Sequence, residues 1–171
     1  MHLRLNLLPA LLVVVLALFP ISGSSASADE TLYDFASAPH VLKEHLGKGK
    51  WLIVTVWASD CAVCNQEIPE MVAFHNARRD IDATVLGISV DGPGGKQEAL
   101  AFIERHQVSF PNLLDHGRAF KAIYLRATGR PWLGGTPMNL VYAPDGRLAA
   151  RRIGPLAKAE LEAFIEKESK N

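Results

Sequence analysis

The stretch Trp51-Leu52-Ile53-Val54-Thr55-Val56-Trp57-Ala58-Ser59-Asp60-Cys61-Ala62-Val63-Cys64 decides the fold. Its first seven residues are apolar or β-branched without a break, which reads as a buried strand. The only two cysteines of the chain follow as a C-x-x-C pair. Beyond them Ile68, Met71, Val72 and His75 keep helical spacing to about Arg79, with Pro69 expected to kink the helix. The pair therefore falls where a strand hands over to a helix N-terminus. Unpaired N–H groups and the positive end of the helix dipole favour an anion there. A thiol so placed ionises more easily, and the thiolate is the reactive form. Cys61 is expected to be the accessible, attacking sulfur. Cys64, one turn later on the same face, is within disulfide reach and placed to resolve a mixed disulfide.

Outward from this core, the composition describes a single domain of ordinary apolar content. The chain has 171 residues, with 18 basic and 18 acidic side chains. That balance argues against a nucleic-acid partner. Residues 1–28 read as an export signal: His2 and Arg4, the apolar run Leu5 to Ile21 interrupted by Pro9 and Pro20, then Ala26-Ser27-Ala28 before Asp29. An uncleaved anchor is the other reading, but the run is short and proline-broken for a span. The mature domain is then 29–171, periplasmic, with no stable membrane span. Export changes what the cysteines mean. A structural disulfide closing so short a loop removes little unfolded-state entropy, so redox work explains the pair better.

The rest of the chain alternates. A lead-in over 31–46 is expected to hold a short strand or turn and a helix around Pro39 to Leu46. Ala83 to Val90 reads as a second buried strand, and Asp91-Gly92-Pro93-Gly94-Gly95-Lys96 as a plain connector, since the phosphate-loop spacing fails. Glu98 to Gln107 is an amphipathic helix. Phe110 to Leu114 is an edge-like strand because it holds Pro111. A helix carries Phe120, Ile123 and Tyr124, and a Gly/Pro/Arg-rich loop over 126–135 carries Trp132, read as a cover for the core edge or a partner anchor. Met138 to Ala143 and Arg147 to Ile153 form a hairpin about Pro144-Asp145-Gly146, and Lys158 to Lys167 is the last helix. A right-handed parallel crossover followed by an antiparallel hairpin predicts an α/β fold: a mixed central sheet with helices on both faces.

Four features together resemble the thioredoxin-fold proteins, and most the exported TlpA/ResA group of thiol-disulfide oxidoreductases. They are the strand ending in Trp57-Ala58, Cys61-x-x-Cys64, Glu67-Ile68-Pro69 just after it, and Gly135-Thr136-Pro137 before a strand and an Asp145-Gly146 turn. The resemblance runs from about Trp51 to Lys167. It implies a thioredoxin-like fold and a cis Thr136–Pro137 peptide facing the disulfide, an ordinary trans proline being the other reading. It implies that Thr136, Pro137 and Trp57 meet substrate, the Thr136 backbone pairing with an extended segment. It also implies that Glu67 acts on the proton chemistry of the cysteines. Half-buried, Glu67 would carry the Cys64 proton; solvated, it would be an ordinary helix glutamate. Thr55 occupies the place where thioredoxin proper has a buried aspartate.

The departures lie beside the sulfur. Asp60 stands where this group usually has tryptophan, and Ala62-Val63 where Gly-Pro is common. Asp60 or Ser59 is a candidate N-cap for the helix. The Asp60 charge opposes ionisation of Cys61 against a dipole contribution of roughly 0.3–1 kcal/mol, so direction of electron flow is not readable here. The leading expectation is an exported reductase of disulfides in other extracytoplasmic proteins. It needs no cofactor beyond the Cys61–Cys64 disulfide, and the resemblance implies a membrane electron donor of the DsbD/CcdA type. An oxidase or isomerase is the alternative within the class. A thiolate metal-binding or copper-delivery module is the alternative outside it. Two cysteines with a distant His75 fall short of a zinc site, and Asn65 after Cys64 excludes c-type haem attachment. A peroxidase pattern wants threonine where Ala58 stands.

Overall fold

The computed structural model describes residues 30–170; the leader expected over 1–28 lies outside them. In chain order the elements are β1 (Leu32–Tyr33), β2 (Pro39–His40), β3 (Trp51–Trp57), α1 (Ala62–Arg78), β4 (Ala83–Ser89), α2 (Lys96–Arg105), β5 (Asn112–Leu114), α3 (Ala119–Thr128), β6 (Met138–Tyr142), β7 (Leu148–Ile153) and α4 (Lys158–Glu168). The strands join one sheet in the order β2-β1-β5-β4-β3-β6-β7. β3, β4 and β5 run parallel, with Trp51 opposite Ala83 and Trp57 opposite Ser89. β6 is antiparallel to both β3 and β7.

The unbroken apolar run of β3 has a direct cause: both of its faces are covered. Ile53 and Trp57 pack with Ile68, Met71 and Phe74 of α1, Phe102 of α2, and Leu161 and Ile165 of α4. Leu52, Val54 and Val56 point the other way, onto Phe120, Ile123 and Tyr124 of α3. This is the expected mixed sheet with helices on both faces. Thr55 is the one polar side chain in the run, and it is fully buried.

Two local expectations are corrected. Pro39–His40 does not open a helix; it pairs with Leu32–Tyr33 as a strand. Asp34 turns the chain between them, its Oδ1 accepting the Ala36 and Ala38 N–H groups at 2.8 Å each, and only a single 3₁₀ turn, Leu42–His45, follows. β5 is not an edge strand, because β1 pairs beyond it. Pro111 precedes the strand, so no ladder N–H is lost, and its carbonyl accepts Gly87 N–H at 2.9 Å. A two-residue β1 carries no periodic signal from which this coverage is readable. α1 spans Ala62–Arg78 with Pro69 inside it, on its exposed side.

Gly87 is required by a close approach. Trp57 Nε1 donates to Asn112 Oδ1 at 3.1 Å across the β4 backbone, and a Cβ on Gly87 would stand 1.9 Å from that oxygen. Gly87→Ala is expected to expel the Asn112 amide and orphan a buried indole N–H, at a cost of about 1–3 kcal/mol. Denaturant unfolding with the Trp57 indole proton followed by NMR checks it; an unchanged midpoint and an unmoved proton would refute it.

Candidate active site

Cys61 and Cys64 are joined in a disulfide at the start of α1. Cys61 is itself the N-cap residue: its Sγ accepts the Cys64 N–H at 3.1 Å. Neither Ser59 nor Asp60 takes that place, which corrects the capping expectation. Cys61 is partly exposed and Cys64 is fully buried, so the two sulfurs differ in access as expected.

Ser59 turns instead to Asp91. Its N–H reaches both carboxylate oxygens at 3.0 and 3.1 Å, and its hydroxyl donates to Oδ1 at 2.8 Å. Ser89 Oγ donates to the other oxygen at 2.6 Å. The loop after β4 is therefore more than a connector: Asp91 ties down the segment that delivers Cys61. The strand register held the only clue. Trp57 and Ser89 are parallel neighbours, so the residues two further on, Ser59 and Asp91, leave the sheet side by side.

β6 brings the second wall. The Thr136–Pro137 peptide is cis, and the Thr136 carbonyl oxygen lies 3.4 Å from Cys61 Sγ. Pro137 is buried, with its carbonyl accepting Gly154 N–H at 2.9 Å. The Thr136 carbonyl thus meets the Cys61 sulfur, with the cis peptide to Pro137 directly after it. Trp57 does not: it is fully buried, its ring stacked on Phe102 at 4.4 Å between centroids and its N–H held by Asn112. Its expected contact with substrate is corrected, because the last residue of a strand covered on both faces has no surface to offer.

Glu67 lies one turn after Cys64 on the buried side of α1 and is only 2% exposed, which sets aside the solvated reading and goes deeper than the half-buried one. Its Oε1 accepts Asn139 Nδ2 at 2.7 Å and Leu156 N–H at 2.8 Å, and Thr55 Oγ1 lies 3.5 Å from Oε2. Thr55 and Asn139 are direct partners across the β3–β6 ladder, so two adjacent strands and the turn before α4 converge on one carboxyl. Burial pushes Glu67 up to about 7, against the three donors that favour its charge. Asn139 Oδ1 is buried without a partner, so a protonated Glu67 has an acceptor beside it once the amide turns. Asn139 and the Leu156 N–H were missed from sequence; Asn139 sits inside an apolar strand run with nothing local to mark it.

Two further candidates pack into the fold. His75 is buried, with Nδ1 accepting Val85 N–H at 3.2 Å, and burial lowers its pKa. Trp132 packs edge-on against Phe120, covering the α3 side of the core. Among the described residues, no three His, Cys, Asp or Glu side chains gather as a metal set.

Comparison with known proteins agrees with this geometry. Residues 26–151 match the family model described as the AhpC/TSA family. The thiol-disulfide oxidoreductase ResA of Bacillus cereus is 22% identical over 120 residues, covering 70% of this chain and 64% of that protein's length. A thiol:disulfide interchange protein of the thioredoxin family from Chlorobium tepidum superposes with a TM-score of 0.64 at 23% identity, over 80% of this chain and 90% of its own. A secreted disulfide oxidoreductase of Mycobacterium tuberculosis superposes with a TM-score of 0.61 at 22% identity, over 80% and 94%. The fold is thioredoxin-like.

Proposed function

The chain belongs to the AhpC/TSA family, and on that footing we propose that it is an exported thiol-disulfide oxidoreductase that reduces disulfides in other extracytoplasmic proteins. One observation carries the reading: a partly exposed Cys61 sulfur at a helix N-terminus, bridged to a buried Cys64, with the Thr136 carbonyl against it. Ala58 stands three residues before Cys61, where the peroxidase pattern has threonine, so family membership alone does not make this a peroxidase.

In the reduced protein the Cys61 thiolate attacks a client disulfide. One client sulfur leaves as a thiolate and takes a proton, and the other stays bonded to Cys61. Cys64 then gives up its proton, with Glu67 as the receiving carboxylate, and attacks Cys61 Sγ. The Cys61–Cys64 disulfide closes, the second client thiol departs, and the client has gained two electrons and two protons. The Thr136 backbone offers the client an edge to pair with in extended form. A membrane donor of the DsbD/CcdA type returns the electrons. Export is supported by the leader-like residues 1–28 and by the secreted mycobacterial neighbour.

Equilibration of the Cys61–Cys64 couple with glutathione measures its potential. A reductase is expected well below the glutathione poise; a value near about −120 mV, that of a strong oxidant, would overturn the reductase reading in favour of the oxidase.

A further inference from the structure

Five large apolar side chains stand exposed among the described residues; Val63, Leu133 and Ile153 are close in sequence or strand pairing to Cys61, Thr136 or Pro137, and Leu125 lies on α3. Val63 follows Cys61 in the first turn of α1. Leu133, 92% exposed, precedes Thr136 by three residues. Ile153 is paired with Met138, next to Pro137. Leu125 lies on the outer face of α3, where Arg118, Lys121, Ala122 and Leu125 recur at i, i+3, i+4 and i+7 and so form one stripe. Pro131 and Trp132 pass alongside that stripe and close a cleft of about 410 Å³. The edge-on contact with Phe120 makes Trp132 a fixed wall. Because β3, β4 and β5 run parallel, α3 begins at the end of the sheet that carries Cys61. From Trp132 the chain needs only four residues to reach Thr136, a span of at most about 14 Å.

The charge around this cleft is one-sided. From His116 to Pro144 the sequence holds no acidic residue and four basic ones, Arg118, Lys121, Arg126 and Arg130, in a chain whose charges otherwise balance. Arg126 is engaged by Glu30 at 2.8 Å. Among the described residues, Arg118, Lys121 and Arg130 have no carboxylate within ion-pair distance. The neighbouring Asp115 is buried and accepts the N–H groups of Gly117, Arg118, Ala119 and Phe120, and it makes no ion pair with these bases. Asp60, directly before Cys61, is exposed and carries the opposite charge.

We infer that the α3 cleft docks the flank of the client's reactive cysteine: an extended segment with an apolar side chain against Leu125 and Trp132 and carboxylates facing Arg118 and Lys121. The inference rests on the dithiol reading above. The Asp60 charge beside Cys61 repels acidic client residues there, while the basic α3 stripe draws them.

The test uses octapeptides carrying a central cysteine as the mixed disulfide with hydroxyethanethiol. Two have a leucine and two glutamates, placed after the cysteine in one and before it in the other; two carry lysines in place of the glutamates. Reduction rates are divided by the rate with hydroxyethyl disulfide, which is too small to span the cleft. At low ionic strength the better glutamate peptide is expected to outrun both lysine peptides by about tenfold, and salt is expected to erode the preference. Arg118→Glu with Lys121→Glu is expected to abolish or invert it. Equal relative rates for all four peptides, with hydroxyethyl disulfide reduced normally, would overturn the docking inference and leave the dithiol reading standing. Failure with hydroxyethyl disulfide itself would sink the dithiol reading. The cleft is then judged by fluorescence anisotropy of a labelled glutamate peptide with serine for cysteine, whose binding the double variant is expected to weaken about tenfold. No binding, or binding to phosphatidylglycerol vesicles in place of the peptide, would overturn the inference.

Discussion

Cys64→Ala is expected to turn a catalyst into a trap. With the resolving sulfur gone, Cys61 still attacks a client disulfide, but the mixed disulfide has no internal thiol to displace it. Net turnover of a disulfide substrate falls by about 10³-fold or more, toward the uncatalysed background, while covalent adducts through Cys61 accumulate. Non-reducing gels and mass spectrometry of the adducts check it, and the same adducts identify the clients. The asymmetry of the site is what makes the outcome one-directional: Cys61 is partly exposed and faces the Thr136 carbonyl, whereas Cys64 is fully buried in the first turn of α1. If Cys61→Ala trapped clients and Cys64→Ala did not, the assigned order of attack would be wrong.

The second large effect is in pH. Glu67 lies near 7 in the folded protein against an ordinary value of 4.5, because burial penalises its charged form. A carboxyl held above its unfolded pKa binds its proton more tightly when folded. The stability it lends is complete below about pH 4.5 and fades as pH rises through about 7. The gap corresponds to about 3 kcal/mol. Glu67→Gln keeps an oxygen for Asn139 and the Leu156 N–H and supplies an amide donor toward Thr55, so the packing survives while the titration goes. The difference in unfolding free energy between the oxidised wild type and the variant is therefore expected to shift by about 3 kcal/mol between pH 4.5 and 8, in the variant's favour at the alkaline end. The partner readout is kinetic. Closure of the Cys61–Cys64 disulfide from a mixed disulfide is expected to slow by about 10²-fold at pH 7 and to lose its inflection there. A stability difference flat across this window would show that Glu67 does not titrate as a buried acid, and an unaltered closure rate would remove it from the proton path.

Much of this was written locally. The strand Trp51–Trp57, the helix after Cys61, the strands over 83–89 and 138–142 and the last helix all declare themselves through periodicities of two, of 3.6, or of uninterrupted burial. Such patterns are legible because each is set by which face of one element meets water. The C-x-x-C spacing is likewise a property of a single helical turn. The sheet order is less so: Pro111 makes β5 read as an edge, and its cover, Leu32–Tyr33, is only two residues long and comes from the far end of the domain.

By itself, the sequence determined that two sulfurs would stand at a helix N-terminus after a buried strand, and that Thr136–Pro137 would open a later strand. Only the tertiary structure decided what those groups feel. Three backbone or side-chain donors from Thr55, Asn139 and Leu156, separated from Glu67 by 12, 72 and 89 positions, meet on one carboxyl. Asp91, 32 positions from Ser59, holds the segment that presents Cys61. Trp57, expected to meet substrate, is held instead in a stack with Phe102. The reason is common to all of these: hydrogen bonding and desolvation act over a few ångströms of space, and the neighbours at that distance are chosen by how the strands order and which helix covers them.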